Sequence, residues 1–347
     1  MQESMTKLLL GKSLEQLQAI AQEIGLPRFA GKQIAEWLYI KRATSIDEMS
    51  NISLKGREKL KEGYTIGRHR PVAEAVSKDG TKKYLFQVGE QYIESVYIPD
   101  NDRATLCVST QAGCKMGCKF CMTGTLGFHG HLDAGDILNQ IFSIPDSDKL
   151  TNIVYMGEGE PMDNLDNVLA SLSVMTSAWG CGWSPKRITV SSVGISKELK
   201  HFVENCDCHL AISLHSPFAI ERQEVMPIEK VNHLSDIISL LKQYDWSHQR
   251  RVSFEYICWS GINDTPKHAN ELLRLLKGLD CRINLIRFHA APSSNLHKEV
   301  ALPSSDEQQM EWLRDYLTDR GITTTIRRSR GEDILAACGM LVNALRE

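Results

Sequence analysis

Cys107-Val108-Ser109-Thr110-Gln111-Ala112-Gly113-Cys114-Lys115-Met116-Gly117-Cys118-Lys119-Phe120-Cys121 carries an apolar strand directly into a cysteine-rich loop. The strand begins near Thr105, and from it the pattern repeats. Strand-like stretches recur at 105–109, 152–157, 187–192, 208–214, 251–257 and 282–288, with amphipathic segments such as 165–176 and 234–244 between them. Such alternation predicts a parallel sheet with helices outside it, because every parallel connection must cross back over the sheet. Six units suit an α/β fold, a partial (β/α)6 TIM-like barrel. A further strand-like stretch, Thr323 to Ile326, precedes a helical tail. The chain shows no internal repeat and no low-complexity segment.

Upstream, the period is helical. Ser13 caps a segment carrying Leu14, Leu17, Ile20 and Ile24, and Gly25-Leu26-Pro27 stops it. A second helix begins near Gly31 and carries Ile34, Trp37, Leu38 and Ile40; a third runs from about Ser53 to Glu62. Then the period changes. Stretches 72–76, 83–88 and 92–98 read as strands, with Asp79-Gly80 as a hairpin turn between the first two. The expected division is a helical accessory domain over 1–70, a β-hairpin linker segment over 71–100, and the barrel core with its C-terminal cysteine segment over 101–347.

Composition bounds the function. The 347 residues are 42% hydrophobic, enough for a sizeable core. No stretch approaches the roughly eighteen apolar residues that span a bilayer. Met1 to Leu10 holds no apolar run of signal-peptide length, so the ten cysteines suit a reducing cytoplasm. Net charge is −3, but residues 1–70 hold 12 Lys and Arg against 8 Asp and Glu. A basic front on an acidic body hints at RNA, although a solvated helical surface accounts for it equally well.

Cys114, Cys118 and Cys121 stand as Cys-x3-Cys-x2-Cys. Three thiolates so placed can hold three irons of a [4Fe–4S] cubane and leave the fourth iron open to a substrate. Zinc sites usually come as two cysteine pairs or with histidines. His129 and His131 lie nearby, but the spacing fits no common zinc module. Cys181, Cys206, Cys208, Cys258 and Cys281 read as buried fillers.

The triplet, followed by aromatic and small residues, resembles the signature of the radical S-adenosylmethionine (SAM) enzymes, in which the open iron chelates the amino and carboxylate groups of SAM. In parallel barrels the active site collects at the C-terminal strand ends. Here those ends carry Gly157-Glu158-Gly159-Glu160-Pro161, Ser191-Ser192-Val193-Gly194, Ser213-Leu214-His215-Ser216 and Arg287-Phe288-His289. The resemblance makes Gly159, Glu160, Ser191, Ser213, Leu214, His215 and His289 the SAM-binding set. Glu160 would meet the amino group, and Ser191, Ser213 and His215 the carboxylate, ribose or adenine. His289 stands where relatives commonly place an asparagine, and an imidazole replaces one amide hydrogen bond but not both.

Cys107-Val108-Ser109-Thr110-Gln111, the triplet, Met156 to Asn164, Ser213-Leu214-His215 and Arg330-Gly331 to Ala336-Ala337-Cys338-Gly339 together resemble the RNA adenosine methyltransferase family of RlmN and Cfr, over roughly residues 94–341. That resemblance implies two SAM molecules per turnover. Cys338 takes a methyl from one. Cleavage of the second yields a radical that removes hydrogen from this methyl, and the carbon adds to adenine, joining protein and RNA. Cys107 then takes the ring proton and attacks the Cys338 sulfur, leaving a disulfide. Glu94 matches a position of a possible proton acceptor. Pro161 stands where Cfr-type enzymes tend to carry alanine, which favours carbon 2 methylation; the alternative is Cfr-like carbon 8 methylation, which confers antibiotic resistance. The implied partners are 23S rRNA, the tRNA anticodon loop and an electron donor such as flavodoxin or ferredoxin, with the enzyme a monomer. The basic helix at 55–61, Arg68, Arg70, Arg327, Arg328 and Arg330 are the candidate RNA contacts.

Overall fold

The computed structural model describes residues 6–247, 250–289 and 302–341. These fall into two compact units, one within Met1–Pro71, Leu132–Lys149 and Leu165–Ser184, the other within Val72–His131, Leu150–Asn164 and Pro185–Glu347. The units cut across the division expected at residue 70, because two crossover segments of the core pack with the N-terminal helices.

In the first unit, Ser13 and Gln16 form a reciprocal capping box on helix Leu14–Glu23. Helix Leu54–Gly63 is capped by Ser53, and strands β1 (Lys7–Leu8) and β2 (Tyr64–Thr65) pair in parallel. Leu17, Ile34, Leu38 and Leu60 are fully buried. The basic helix is largely committed inside this unit. Lys59 Nζ donates to the Ile24 carbonyl at 3.0 Å, and Lys61 pairs with Asp47 and Glu58, both at 2.8 Å. Arg68 donates to the Phe142 and Arg42 carbonyls and to Ser143 Oγ. The reading of Arg68 as an RNA contact is therefore corrected: it closes the carbonyl end of helix Ala134–Ser143.

The second unit is built on a ten-stranded sheet. Its strands are β3 (Ala73–Val76), β4 (Lys82–Val88), β5 (Gln91–Asp100), β6 (Arg103–Cys107), β9 (Asn152–Tyr155), β10 (Ile188–Ser192), β11 (His209–Ser213), β12 (Val252–Cys258), β13 (Cys281–Arg287) and β14 (Thr323–Arg327). A separate ribbon pairs β7 (Gln111–Gly113) with β8 (Phe128–His131). The sheet order is β14-β13-β12-β11-β10-β9-β6-β5-β4-β3. From β6 to β14 every pairing is parallel, and β5, β4 and β3 continue the sheet antiparallel. The sheet is open at β14 and β3, as a partial barrel requires. All seven residues of β12 are buried, the pattern of a strand covered on both faces.

Two expectations change. Residues 71–100 are not a linker: Asp79-Gly80 turns β3 into β4 as read, and both strands extend the main sheet. The tail after β14 holds one 3-10 turn, Glu332–Ile334, flanked by the left-handed residues Gly331 and Leu335; residues 342–347 lie outside the described residues. Among the described residues no helix is long and apolar enough to cross a membrane.

Candidate active site

One face of the parallel strands lines a cavity of about 650 Å³. Side chains alternate along a strand, so Thr189 and Ser191 on β10, and Ser253, Glu255 and Ile257 on β12, all face it. The cysteine loop closes the C-terminal end. Its base is the β7–β8 ribbon, and the Cys114 N–H donates to the Gly127 carbonyl at 2.9 Å.

Cys114, Cys118 and Cys121 all line the cavity. Burial raises the Cys114 thiol to about 12 and also raises Cys118 and Cys121. Backbone amides of Met116 at Cys114, and of Thr123 and Gly124 at Cys121, favour the thiolates, as does the Arg222 charge at Cys118. A cluster's own positive charge would complete that reversal. Among the described residues no three His, Cys, Asp or Glu side chains converge on a single metal ion. A cubane sets each cysteine on a different iron and needs no such convergence. His131 bonds to Gln111 and His129 to the Leu126 carbonyl, so both histidines are engaged away from the cysteines. The donor set fits a trithiolate cubane better than zinc.

Beside the loop, Glu160 is buried and gathered by donors. Ser192 Oγ (2.7 Å) and Met162 N–H (3.0 Å) reach Oε1, and Val193 N–H (2.9 Å) reaches Oε2. Burial outweighs these bonds and lifts the carboxyl to about 7. Gly159 has φ +97°, and a Cβ there would meet Gln111 Cβ at 2.6 Å, so only glycine lets the turn pass. Burial holds His215 neutral, down to about 3. Its Nδ1 accepts from the Ile257 N–H at 3.1 Å, which leaves the proton on Nε2. Its left-handed backbone (φ 57°) is held by Asn263, which donates to its carbonyl at 2.7 Å. Ser191, Ser213, His215 and His289 line the cavity together with Gly159 and Glu160. Leu214 is fully buried and contributes only its backbone. His289 is engaged by Ser329 Oγ and, at 3.4 Å, by Glu332.

Cys338 is exposed on the cavity wall. Cys107, the last residue of β6, is half-buried and packs against the cluster of Val96, Ala336 and Leu341. Burial, and then the Cys338 charge, push Cys107 up to about 12. Cys107 itself is not brought to the cavity wall. The segment bearing Cys338 is tied on two sides. Gly331 N–H donates to Asp79 at 3.0 Å, Ser77 Oγ to Asp333 at 2.5 Å, and Lys83 Nζ to the Leu335 carbonyl at 3.3 Å. On the other side, Met122 N–H donates to the Gly339 carbonyl at 2.7 Å. The β3–β4 hairpin is thus a clamp on the Cys338 segment.

Glu94 is not brought to the cavity wall. It is fully buried and ion-paired with Lys83 at 3.0 Å, and its backbone N–H donates to Glu158 at 2.7 Å. Two groups escaped the sequence reading. Arg222 is fully buried, pairs with Glu229, and donates to the carbonyls of Val193, Ser213 and Leu214, binding the ends of β10 and β11 together. Glu255 is a buried carboxylate on the cavity face, bonded by Asn284 at 2.7 Å and Arg327 at 3.3 Å. Its Oε2 has no partner. Only Glu255's place in the alternation of β12 could have signalled it.

The family described as "Ribosomal RNA large subunit methyltransferase N-terminal domain" matches residues 8–66, and the Radical SAM superfamily matches residues 108–276. A relative from Bacteroides thetaiotaomicron, described as a probable dual-specificity RNA methyltransferase RlmN, is 58% identical over 340 residues, covering 98% of this chain and 97% of that protein. The dual-specificity RNA methyltransferase RlmN of Marinobacter nauticus is 36% identical, covering 98% of this chain and 93% of that protein. The crystal structure of a radical SAM methyltransferase from Sphaerobacter thermophilus superposes with a TM-score of 0.88 at 33% identity, covering 96% of this chain and 98% of that one. The cofactors of this chemistry are a [4Fe–4S] cluster and SAM, two molecules per turnover. At this identity and coverage the chain belongs to the RlmN family of radical SAM RNA methyltransferases.

Proposed function

We propose that this enzyme methylates carbon 2 of an adenosine in 23S rRNA and in the tRNA anticodon loop, through a methyl group carried on Cys338 and a transient protein–RNA adduct that Cys107 resolves. The observation that supports this reading is that Cys338 lines a cavity large enough for a nucleoside together with Cys114, Cys118 and Cys121, while Cys107 packs just outside it against Ala336 and Leu341, which flank Cys338 in the chain. Cys114, Cys118 and Cys121 would hold the cluster, and Gly159, Glu160, Ser191, Ser213 and His215 would seat SAM. Bound there, the cluster and SAM supply the methyl group and a primary carbon radical.

The residues of the chain do the rest. Carbon 2 of adenine lies between two ring nitrogens and is electron-poor, so it does not attack an electrophilic methyl. Cys338 can, once its proton leaves. Although Cys338 is open to the cavity, desolvation by the surrounding protein and the Glu255 charge raise this thiol to about 11, while Arg327 opposes them and favours the thiolate. Cys107 Sγ then takes the ring proton and bonds to Cys338 Sγ as the Cys338 sulfur–carbon bond breaks; the proton passes to the departing methylene carbon, completing the methyl group, and the odd electron of the radical adduct would return to the cofactor. The disulfide left behind needs two electrons, from a donor such as flavodoxin or ferredoxin in the cytoplasm. Glu94, locked to Lys83, supports the floor under this step rather than touching the base.

Anaerobic reconstitution with RNA and mass analysis of the adenosine product tests the reading and separates carbon 2 from carbon 8. Cys338→Ala is expected to abolish methylation, and Cys107→Ala to trap a protein–RNA adduct. Free methylated product from Cys107→Ala would refute the assigned roles.

A further inference from the structure

The strands that carry the site at their C-terminal ends carry a second cluster at their N-terminal ends. Lys186 and Arg187 lead into β10, Arg251 immediately precedes β12, Arg282 is the second residue of β13, and Arg103 opens β6. All five are exposed, and all line the same cavity as Cys338. Among the described residues none of the five forms an ion pair. They crowd one another. Burial, and then repulsion from Arg282, Arg327 and Arg103, lower the Arg251 guanidinium. Burial with Arg251, Lys186 and Arg282 drives His209, the first residue of β11, down to about 4. Its Nδ1 is buried without a partner. Unpaired like charges this close oppose folding, and the chain as a whole is acidic at −3. A rim of this kind is explained by an anion that neutralises it.

The rim is wide. From β10 to β13 it crosses three strand spacings, about 14 Å, too broad for one phosphate and suited to several. It also lies about 13 Å along the strands from Ser213, at the far end of the cavity from the cysteine loop.

We infer that RNA enters the barrel at this N-terminal mouth, where Arg103, Lys186, Arg187, Arg251 and Arg282 hold the phosphates flanking the target nucleotide while its unstacked base runs inward to Cys338. This rests on the RNA methyltransferase reading and adds a place and a direction to it. Sequence reasoning put the RNA contacts on the helix at 55–61, at Arg68 and Arg70, and at Arg327, Arg328 and Arg330; of these, Lys59 and Lys61 are already committed within their own unit, and Arg327 and Arg330 pair with Glu255 and Asp100. Base chemistry needs an extruded nucleotide, and a deep cavity with a cationic entrance stabilises one.

The test uses the reconstituted holoenzyme and an RNA stem-loop with an unpaired adenosine. Two double variants on separate elements, Arg251→Gln/Arg282→Gln and Lys186→Gln/Arg187→Gln, are compared with the parent between 50 and 200 mM salt. Each is expected to weaken RNA binding about tenfold at the low-salt end and to flatten the log–log salt dependence by about 1.4, two single-strand phosphate contacts. Parental affinity in both variants would overturn the inference. So would weakened binding with an unchanged salt slope, because lost phosphate contacts must release fewer counterions. If the parent enzyme itself neither binds nor methylates the stem-loop, the RNA methyltransferase reading fails, and the mouth falls with it.

Discussion

At the cysteine-loop end of the cavity, Glu160 and His215 are buried, shifted toward neutrality and held by hydrogen bonds. At the other end, Arg251, Arg282, Lys186 and Arg187 are exposed and, among the described residues, have no carboxylate partner in an ion pair. The same strands build both. Burial makes a charge costly, so the reactive end uses neutral or hydrogen-bonded groups that hold one geometry. The mouth stays wet, so its cations persist at modest cost and wait for a counterion from outside. Chemistry is concentrated at one end and electrostatic capture at the other.

Substitutions should therefore separate along this axis. The largest effect is expected from Cys118→Ala, which removes a proposed cluster ligand: iron and acid-labile sulfide should fall to background after anaerobic reconstitution, with loss of SAM cleavage. Full iron retention would break the assignment of the reactive end.

Arg222→Ala comes next. It leaves Glu229 buried and unpaired and unties three strand-end carbonyls. Removing one partner of a buried pair costs about 3–5 kcal/mol, to be read as a lower denaturant midpoint. A change below 1 kcal/mol would show that the strand ends hold without it.

Asp79→Asn probes the clamp. Burial pushes this carboxyl up, but hydrogen bonds from Thr81, Gly331 and Ser77 overcome it and hold the group down at about 2. Replacing the carboxylate is expected to loosen the Cys338 segment and cut RNA methylation about tenfold, one or two hydrogen bonds' worth, with SAM cleavage continuing. Equal loss of both activities would mean that the hairpin supports the whole site. The clamp's own stabilisation should be present above about pH 3.8 and fade as pH falls toward 2, because the folded-state value is depressed.

The smallest effect belongs to Glu158, raised by burial to about 8. The folded protein keeps a proton that the unfolded chain releases near 4.5, so this group's stabilisation is complete below that value and is lost as pH rises through 8. Glu158→Gln should flatten stability against pH across that window while changing little near pH 5. An unchanged slope would assign the pH dependence to another group.

The cysteine triplet, the Gly-Glu-Gly-Glu-Pro turn and the strand–helix alternation were legible because each is local: spacing along the chain already implies spacing in space. The seven parallel strands appear where apolar runs stood, with ends displaced by one or two residues. Glu94 could be picked out by its motif, but its burial against Lys83 comes from the pairing of β4 with β5. Arg68 read as a surface cation, and it is a partner for the Phe142 carbonyl, 74 residues away.

Sequence by itself determined the barrel class, and it singled out the proposed ligand set and the two thiols proposed to react, Cys107 and Cys338, which lie 231 positions apart and are tied by motif alone. Only the tertiary structure decided that a hairpin clamps the second thiol, that Arg222 ties the strand ends, and that cations from four separate elements share one rim. Those features depend on which strands become neighbours, and hydrogen bonding, desolvation and charge repulsion act through space rather than along the chain.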